Sequence, residues 1–86
     1  MNYIVEYEPE ALADLEKLTQ VMQDRIFRKI YWLAENFEQV NPEALTGSLA
    51  GFYKLRVGDY RVIYDFSTEE KIITIDKIGH RREIYG

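Results

Sequence analysis

The second half of the sequence gathers cations and aromatic rings at short spacing. Lys54, Arg56 and Arg61 fall within YKLRVGDYR, and His80, Arg81 and Tyr85 fall within the closing KIGHRREIYG. These runs offer no carboxylate pair, no nucleophile–base dyad and no metal-ligand spacing. They offer cations, an imidazole and a phenol, a set suited to a phosphodiester. Guanidinium forks hold phosphate oxygens bidentately, and a tyrosine ring stacks on a base. RNA also carries its own nucleophile, the 2′-hydroxyl. A protein that aligns that group and neutralises charge on phosphorus can cleave with no metal and no other cofactor.

Within that chemistry, a lysine crowded by two arginines has its charged form disfavoured, which makes Lys54 a candidate general base. His80 is suited to act as acid or base near neutrality. Plainer readings stand beside these. The charged face is then solvated, His80 is a surface turn residue after a glycine, and Tyr85 is an apolar plug. A tyrosine beside two arginines is also common in protein interfaces.

The chain that must position these groups has 86 residues, enough for one domain spanning 1–86 with a thin core. Its 47% hydrophobic and 30% charged residues are those of an ordinary globular chain, and no repeat or low-complexity stretch interrupts it. Without cysteine there is no disulfide framework and no thiolate zinc site. No basic leader and no long apolar run appear, so a cytoplasmic location and no membrane partner are expected. The net charge is −4, which discourages polyanion binding by the molecule as a whole. The acidity lies in residues 1–46, with 4 Lys/Arg against 9 Asp/Glu, whereas residues 47–86 carry 7 against 6.

Asn2 to Tyr7 reads as a strand. Pro9 suits the first turn of a helix that carries Leu12, Leu15 and Leu18 and stops near Thr19. Thr19 caps a longer helix, in which Met22, Ile26, Ile30, Leu33 and Phe37 recur at the spacing of a buried face. Asn41-Pro42, Gly47 and Gly51 mark a loop. Residues 52–57 and 60–66 then flank Gly58-Asp59, a two-residue hairpin signal, and 71–78 form a third strand after a Ser67–Glu70 loop. The expected fold is α+β: an N-terminal strand, a helical hairpin, and an antiparallel three-stranded meander in one sheet with helices on one face.

The two-residue turn sets Val57 opposite Tyr60, Arg56 opposite Arg61, Leu55 opposite Val62, Lys54 opposite Ile63 and Tyr53 opposite Tyr64. Opposed residues share a face and faces alternate. Tyr53, Leu55, Val57, Tyr60, Val62 and Tyr64 therefore form an uncharged face for the helices. Lys54, Arg56 and Arg61 share the other. With a four-residue loop, Ile73 and Ile75 join the core and Asp76 falls beside Arg61. Arginines opposed across a hairpin break a local rule, and such breaks concentrate at functional sites. The closing stretch, with His80, Arg81 and Tyr85, is expected to reach the same surface.

The run LTGSLAGFYKLRVGDYRVIYDF (45–66), followed by IGHRREIY (78–85), resembles the RelE/ParE superfamily, the toxic halves of type II toxin–antitoxin pairs. The resemblance spans essentially the whole chain. It implies one of two activities: a ribosome-dependent mRNA endonuclease of RelE type, acting in the aminoacyl site, or a ParE-type inhibitor of DNA gyrase with no nuclease activity. RelE-type enzymes use a basic pair before the tight turn, matched by Lys54 and Arg56. They also use an arginine just after the turn, matched by Arg61, and a late arginine followed by a tyrosine, matched by Arg81 and Tyr85. His80 occupies a position that is often basic. The RelE-type set is present in full and favours the endonuclease. Arg61 and Arg81 would then stabilise the phosphate, Lys54 would act on the 2′-hydroxyl, Tyr85 would stack on a base, and Arg56 and His80 would bind substrate. The resemblance also implies a RelB-like antitoxin, with mRNA and ribosome as further partners and operator DNA met only through the antitoxin. Apolar positions on the long helix such as Phe27, Tyr31 and Trp32 offer the antitoxin a landing site; the plainer reading, favoured for Phe27, is that this helix has a wide buried face. The acidic net charge departs from the usual basic character of ribosome-directed relatives and should slow long-range approach to rRNA.

Overall fold

The computed structural model describes residues 2–82, so Tyr85 lies outside the described residues. A short strand, β1 (Ile4–Tyr7), leads into α1 (Pro9–Glu16), whose Pro sits in the first turn. Thr19 does what its position predicts: its Oγ1 accepts the Met22 N–H at 3.2 Å and caps α2 (Gln20–Glu35). Such a cap contributes about 1 kcal/mol. The helix buries Ile26, Ile30, Leu33 and Ala34, and Phe37 follows in a single 3₁₀ turn. Fully burying an aliphatic side chain of this size contributes roughly 1.5–3 kcal/mol, so this one face anchors α2 against the sheet.

Beyond the helices come β2 (Glu43–Ala44), β3 (Tyr53–Val57), β4 (Tyr60–Ser67) and β5 (Ile72–His80). The sheet runs β1-β5-β4-β3-β2, with β1 parallel to β5 and the other pairs antiparallel. The helices and the uncharged sheet face enclose the core, in which Val62, Tyr64, Ile73 and Ile75 are almost wholly buried. Where β1 ends, the edge of β5 finds another partner: Asp14 Oδ2 accepts the Ile78 N–H at 2.9 Å and pins α1 to the sheet.

The β3–β4 hairpin has the expected register at all five pairs. Its turn favours glycine, because Gly58 has φ +59°. The β4–β5 pairing differs in two ways. Lys71 adopts a left-handed conformation (φ 57°) and closes the loop, so the ladder begins one residue late, at Ser67–Ile72. A register shift between Ile63 and Tyr64 then adds to the offset, passing from Tyr64–Ile75 to Ile63–Lys77. Ile73 and Ile75 reach the core as expected. Asp76 falls in the shift and does not stand beside Arg61, whose partner on β5 is Gly79. No helix among the described residues is long and apolar enough to cross a membrane.

Candidate functional site

Two rows of residues cross the sheet face turned away from the helices. One runs Arg56–Arg61–Gly79, and the next runs Glu43–Lys54–Ile63–Lys77. Arg61 is 7% exposed. Its Nη1 donates to the Tyr60 carbonyl at 3.2 Å, and its Nε is buried with no hydrogen-bond partner among the described residues. A buried donor left without an acceptor costs about 1–3 kcal/mol. Arg56, directly opposite, is exposed and its Nε reaches the Gly58 carbonyl at 3.4 Å. The arrangement is two guanidinium groups side by side, one of them desolvated and incompletely bonded. An anion at this row would gain a charge-assisted bond that the protein leaves open.

Lys54 does not have arginines alone for neighbours. Glu43 lies opposite it on β2, and Lys54 Nζ is 2.9 Å from Glu43 Oε2. The sequence offered little warning, because a two-residue strand has no periodicity to read. The same applies to Ile63, which is buried on this face. With Leu49 and Phe52 it lines a pocket at the base of the sheet, so the connection between β2 and β3 covers part of a surface expected to be open.

His80 is placed differently from expectation. It pairs with Tyr60, and the two rings meet edge-on with centroids 5.6 Å apart. That puts its ring on the helix-side face, with Nδ1 accepting the Arg82 N–H at 3.2 Å. The strand alternation that sends Arg61 to one face sends His80 to the other. Arg81 is exposed, and its N–H donates to the Asp59 carbonyl at 2.9 Å. This bond ties the end of β5 to the hairpin turn beside Arg56. The structure thus brings Lys54, Arg56 and Arg61 onto one face with the Arg81 backbone at its rim, and separates His80 from them.

An acidic group flanks this site. Burial first, and then the neighbouring Asp65 carboxylate, push the Asp76 carboxyl up to about 6 from its ordinary 3.8, with Glu8 and Glu10 adding to the effect. Asp76 Oδ2 is buried without a hydrogen-bond donor among the described residues.

Comparison with known proteins adds identity to this geometry. Residues 5–85 match the family described as ParE toxin of type II toxin–antitoxin system, parDE. A curated relative from Escherichia coli, described as a putative RelE-like toxin protein, is 27% identical over 94% of this chain and 85% of its own length. Among solved structures, the toxin–antitoxin complex RelBE2 of Mycobacterium tuberculosis is 27% identical with a TM-score of 0.84, covering 94% of this chain and 93% of its own. The archaeal RelE–RelB complex of Pyrococcus horikoshii is 29% identical with a TM-score of 0.71, covering 94% and 97%. The isolated RelE toxin of E. coli shares the fold at 22% identity and a TM-score of 0.74, covering 96% and 90%.

Proposed function

The chain belongs to the ParE toxin family of type II toxin–antitoxin systems, within the RelE/ParE superfamily, and from that premise we propose that it is a ribosome-dependent mRNA endonuclease. The observation that carries the reading is the Arg56–Arg61 row, where a buried guanidinium with an unused Nε faces a second guanidinium. Preorganised cations of this kind stabilise charge that develops on phosphorus, and a donor already desolvated loses no hydration at that moment.

The reaction is transesterification. The RNA 2′-oxygen forms a bond to the adjacent phosphorus, and the bond from phosphorus to the 5′-oxygen breaks. The products are a 2′,3′-cyclic phosphate and a 5′-hydroxyl. One proton leaves the 2′-hydroxyl and one is delivered to the departing oxygen. Arg61 and Arg81 hold the non-bridging oxygens, and Arg56 positions the chain. Lys54 acts on the 2′-hydroxyl after its contact with Glu43 opens, and Tyr85 stacks on a base. Primer extension on a defined mRNA in a purified translation system tests this. Cuts inside the aminoacyl-site codon are expected with the unaltered protein and are lost with Arg81→Ala. Intact mRNA at high toxin concentration sinks the reading.

One observation favours a second reading. The family model matched carries the ParE description, and a ParE-type toxin would inhibit DNA gyrase and leave mRNA whole. A supercoiling assay separates the two. In either case we propose a RelB-like antitoxin as partner, since relatives of similar fold are solved as RelE–RelB complexes. Phe27 and Tyr31 are exposed at 39% and 65%, and with Val5, Tyr7 and Ile30 they line an apolar groove between α2 and β1. That groove suits an amphipathic segment. Contact with operator DNA would come through the antitoxin.

A further inference from the structure

Trp32, expected to belong with Phe27 and Tyr31, faces a different environment. It lines a groove of about 440 Å³ between α2 and the β3–β4 turn, together with Arg25, Arg28, Lys29, Arg56 and Gly58. Among the described residues, four cations and no carboxylate line this space, in a chain whose net charge is −4. Two of them converge on a single residue. Arg56 Nε donates to the Gly58 carbonyl, and Arg25 Nη1 lies 3.3 Å from where a Cβ on Gly58 would stand. Arg28 Nε is held by the Asp24 carbonyl at 3.4 Å, and Lys29 Nζ lies 4.3 Å from the centre of the Trp32 ring.

We propose that this groove is a second nucleic-acid subsite, which takes the phosphodiester backbone of single-stranded RNA as it leaves the Arg56–Arg61 row. The proposal rests on the endonuclease reading for the direction of the strand, and on the groove alone for its chemistry. Like-charged side chains crowd together at a cost unless an anion joins them, and the guanidinium fork matches phosphate oxygens bidentately. Arg56 belongs to both places, so the cationic track is continuous from Arg61 across the sheet to α2. Trp32 supplies a stacking platform beside that track: Lys29 lies over its ring, and the side chain is 46% exposed. Stacking on an aromatic ring beside a basic channel is how sequence-tolerant binders hold single strands. The subsite also resolves the conflict between an acidic chain and an RNA ligand. Attraction is confined to one groove, where it acts at contact distance and not through the field of the whole molecule.

Trp32 is the sole tryptophan of the chain, so its fluorescence reports this groove directly. The probe is an uncleavable 2′-O-methyl RNA dodecamer, titrated at several salt concentrations into the full chain and into Arg25→Glu/Arg28→Glu. The unaltered protein is expected to show quenched Trp32 emission. The double variant should bind at least about tenfold more weakly, with the slope of log K against log salt reduced by about 1.4, the value for two single-strand phosphate contacts. Arg25→Gln/Arg28→Gln, which keeps the helix surface polar, should give a smaller change in the same direction, with an unchanged thermal melt for both variants. Equal affinity and slope in all three proteins overturns the proposal, as does the absence of quenching in the unaltered one. A polyglutamate peptide that quenches Trp32 at lower concentration than the RNA also overturns it and assigns the groove to an acidic polypeptide. Failure of the endonuclease reading looks different. Messenger RNA then stays whole on the ribosome while the dodecamer still binds through Arg25 and Arg28.

Discussion

Arg61 stands directly opposite Gly79 in the β4–β5 ladder, so this buried arginine has no side chain across from it on β5. A side chain placed there should disturb it. Gly79→Val suits an extended strand and sets a branched side chain directly across from Arg61. The expected result is a folded protein whose mRNA cleavage falls about 10²–10³-fold, the loss typical when one preorganised donor is removed. Cleavage assays read beside a thermal melt check it. Full activity in the variant shows that Arg61 does not need its buried position.

The buried Nε of Arg61 also predicts a trade between stability and activity. Arg61→Met retains the apolar bulk, removes a desolvated donor without a partner, and gives up one bond to the Tyr60 carbonyl. The donor's cost exceeds the value of an ordinary bond, so the variant should be more stable by roughly 1 kcal/mol while cleavage is lost. Urea midpoints measure the first and primer extension the second. A destabilised variant means that the Nε finds an acceptor in solution.

The way this site was assembled explains what a sequence reader could see of it. The β3–β4 register follows from one Gly-Asp turn and strict alternation, so the opposition of Arg56 and Arg61 was legible. The position of Asp76 was not. It depends on Lys71 taking a left-handed conformation and on a register shift between Ile63 and Tyr64, and neither has a residue signature. Glu43 escaped because two residues cannot show a period. Nearness along the chain groups His80 with Arg81, whereas alternation from Gly79 puts its ring beside Tyr60. The capping role of Thr19 and the buried stripe of α2 were readable because each rests on contacts within a few residues. The Trp32 groove joins residues 25–32 to residues 56–58, and no local pattern announces such a meeting.

Gly58 joins the turn to that groove, so it should be sensitive for two separate reasons. Its φ of +59° is left-handed, and a Cβ there meets the Arg25 guanidinium at 3.3 Å. Gly58→Ala should cost about 1–2 kcal/mol for the backbone conformation alone. Gly58→Asn should cost less, because asparagine tolerates that conformation, yet it displaces Arg25 to the same degree. RNA binding followed through Trp32 should therefore weaken equally in both variants, while denaturation distinguishes them. Unequal binding that tracks stability would remove Gly58 from the groove and leave it a turn residue only.

Asp76 makes the last prediction, because its carboxyl is held above its ordinary range by burial first and by Asp65 second, reaching about 6 from 3.8. Between those values the folded chain binds a proton that the unfolded chain has released, so the contribution of this group to stability is greatest below pH 3.8 and is lost as pH rises through 6. The groups facing it are Asp65, Glu8 and Glu10. Lys77, the next residue, lies 3.5 Å from Glu10 and so offers its charge elsewhere. Asp76→Asn removes the titration and gives Asp65 an amide donor. The variant should be more stable than the unaltered chain near pH 7.5, and the difference should shrink towards zero near pH 4, where Asp76 is already neutral. Denaturation of both proteins at the two pH values reads the difference directly and cancels the titration of every other carboxylate. A pH-independent difference would show that Asp76 is ionised in the folded chain throughout, and that a cation from solution or a water molecule serves its buried oxygen.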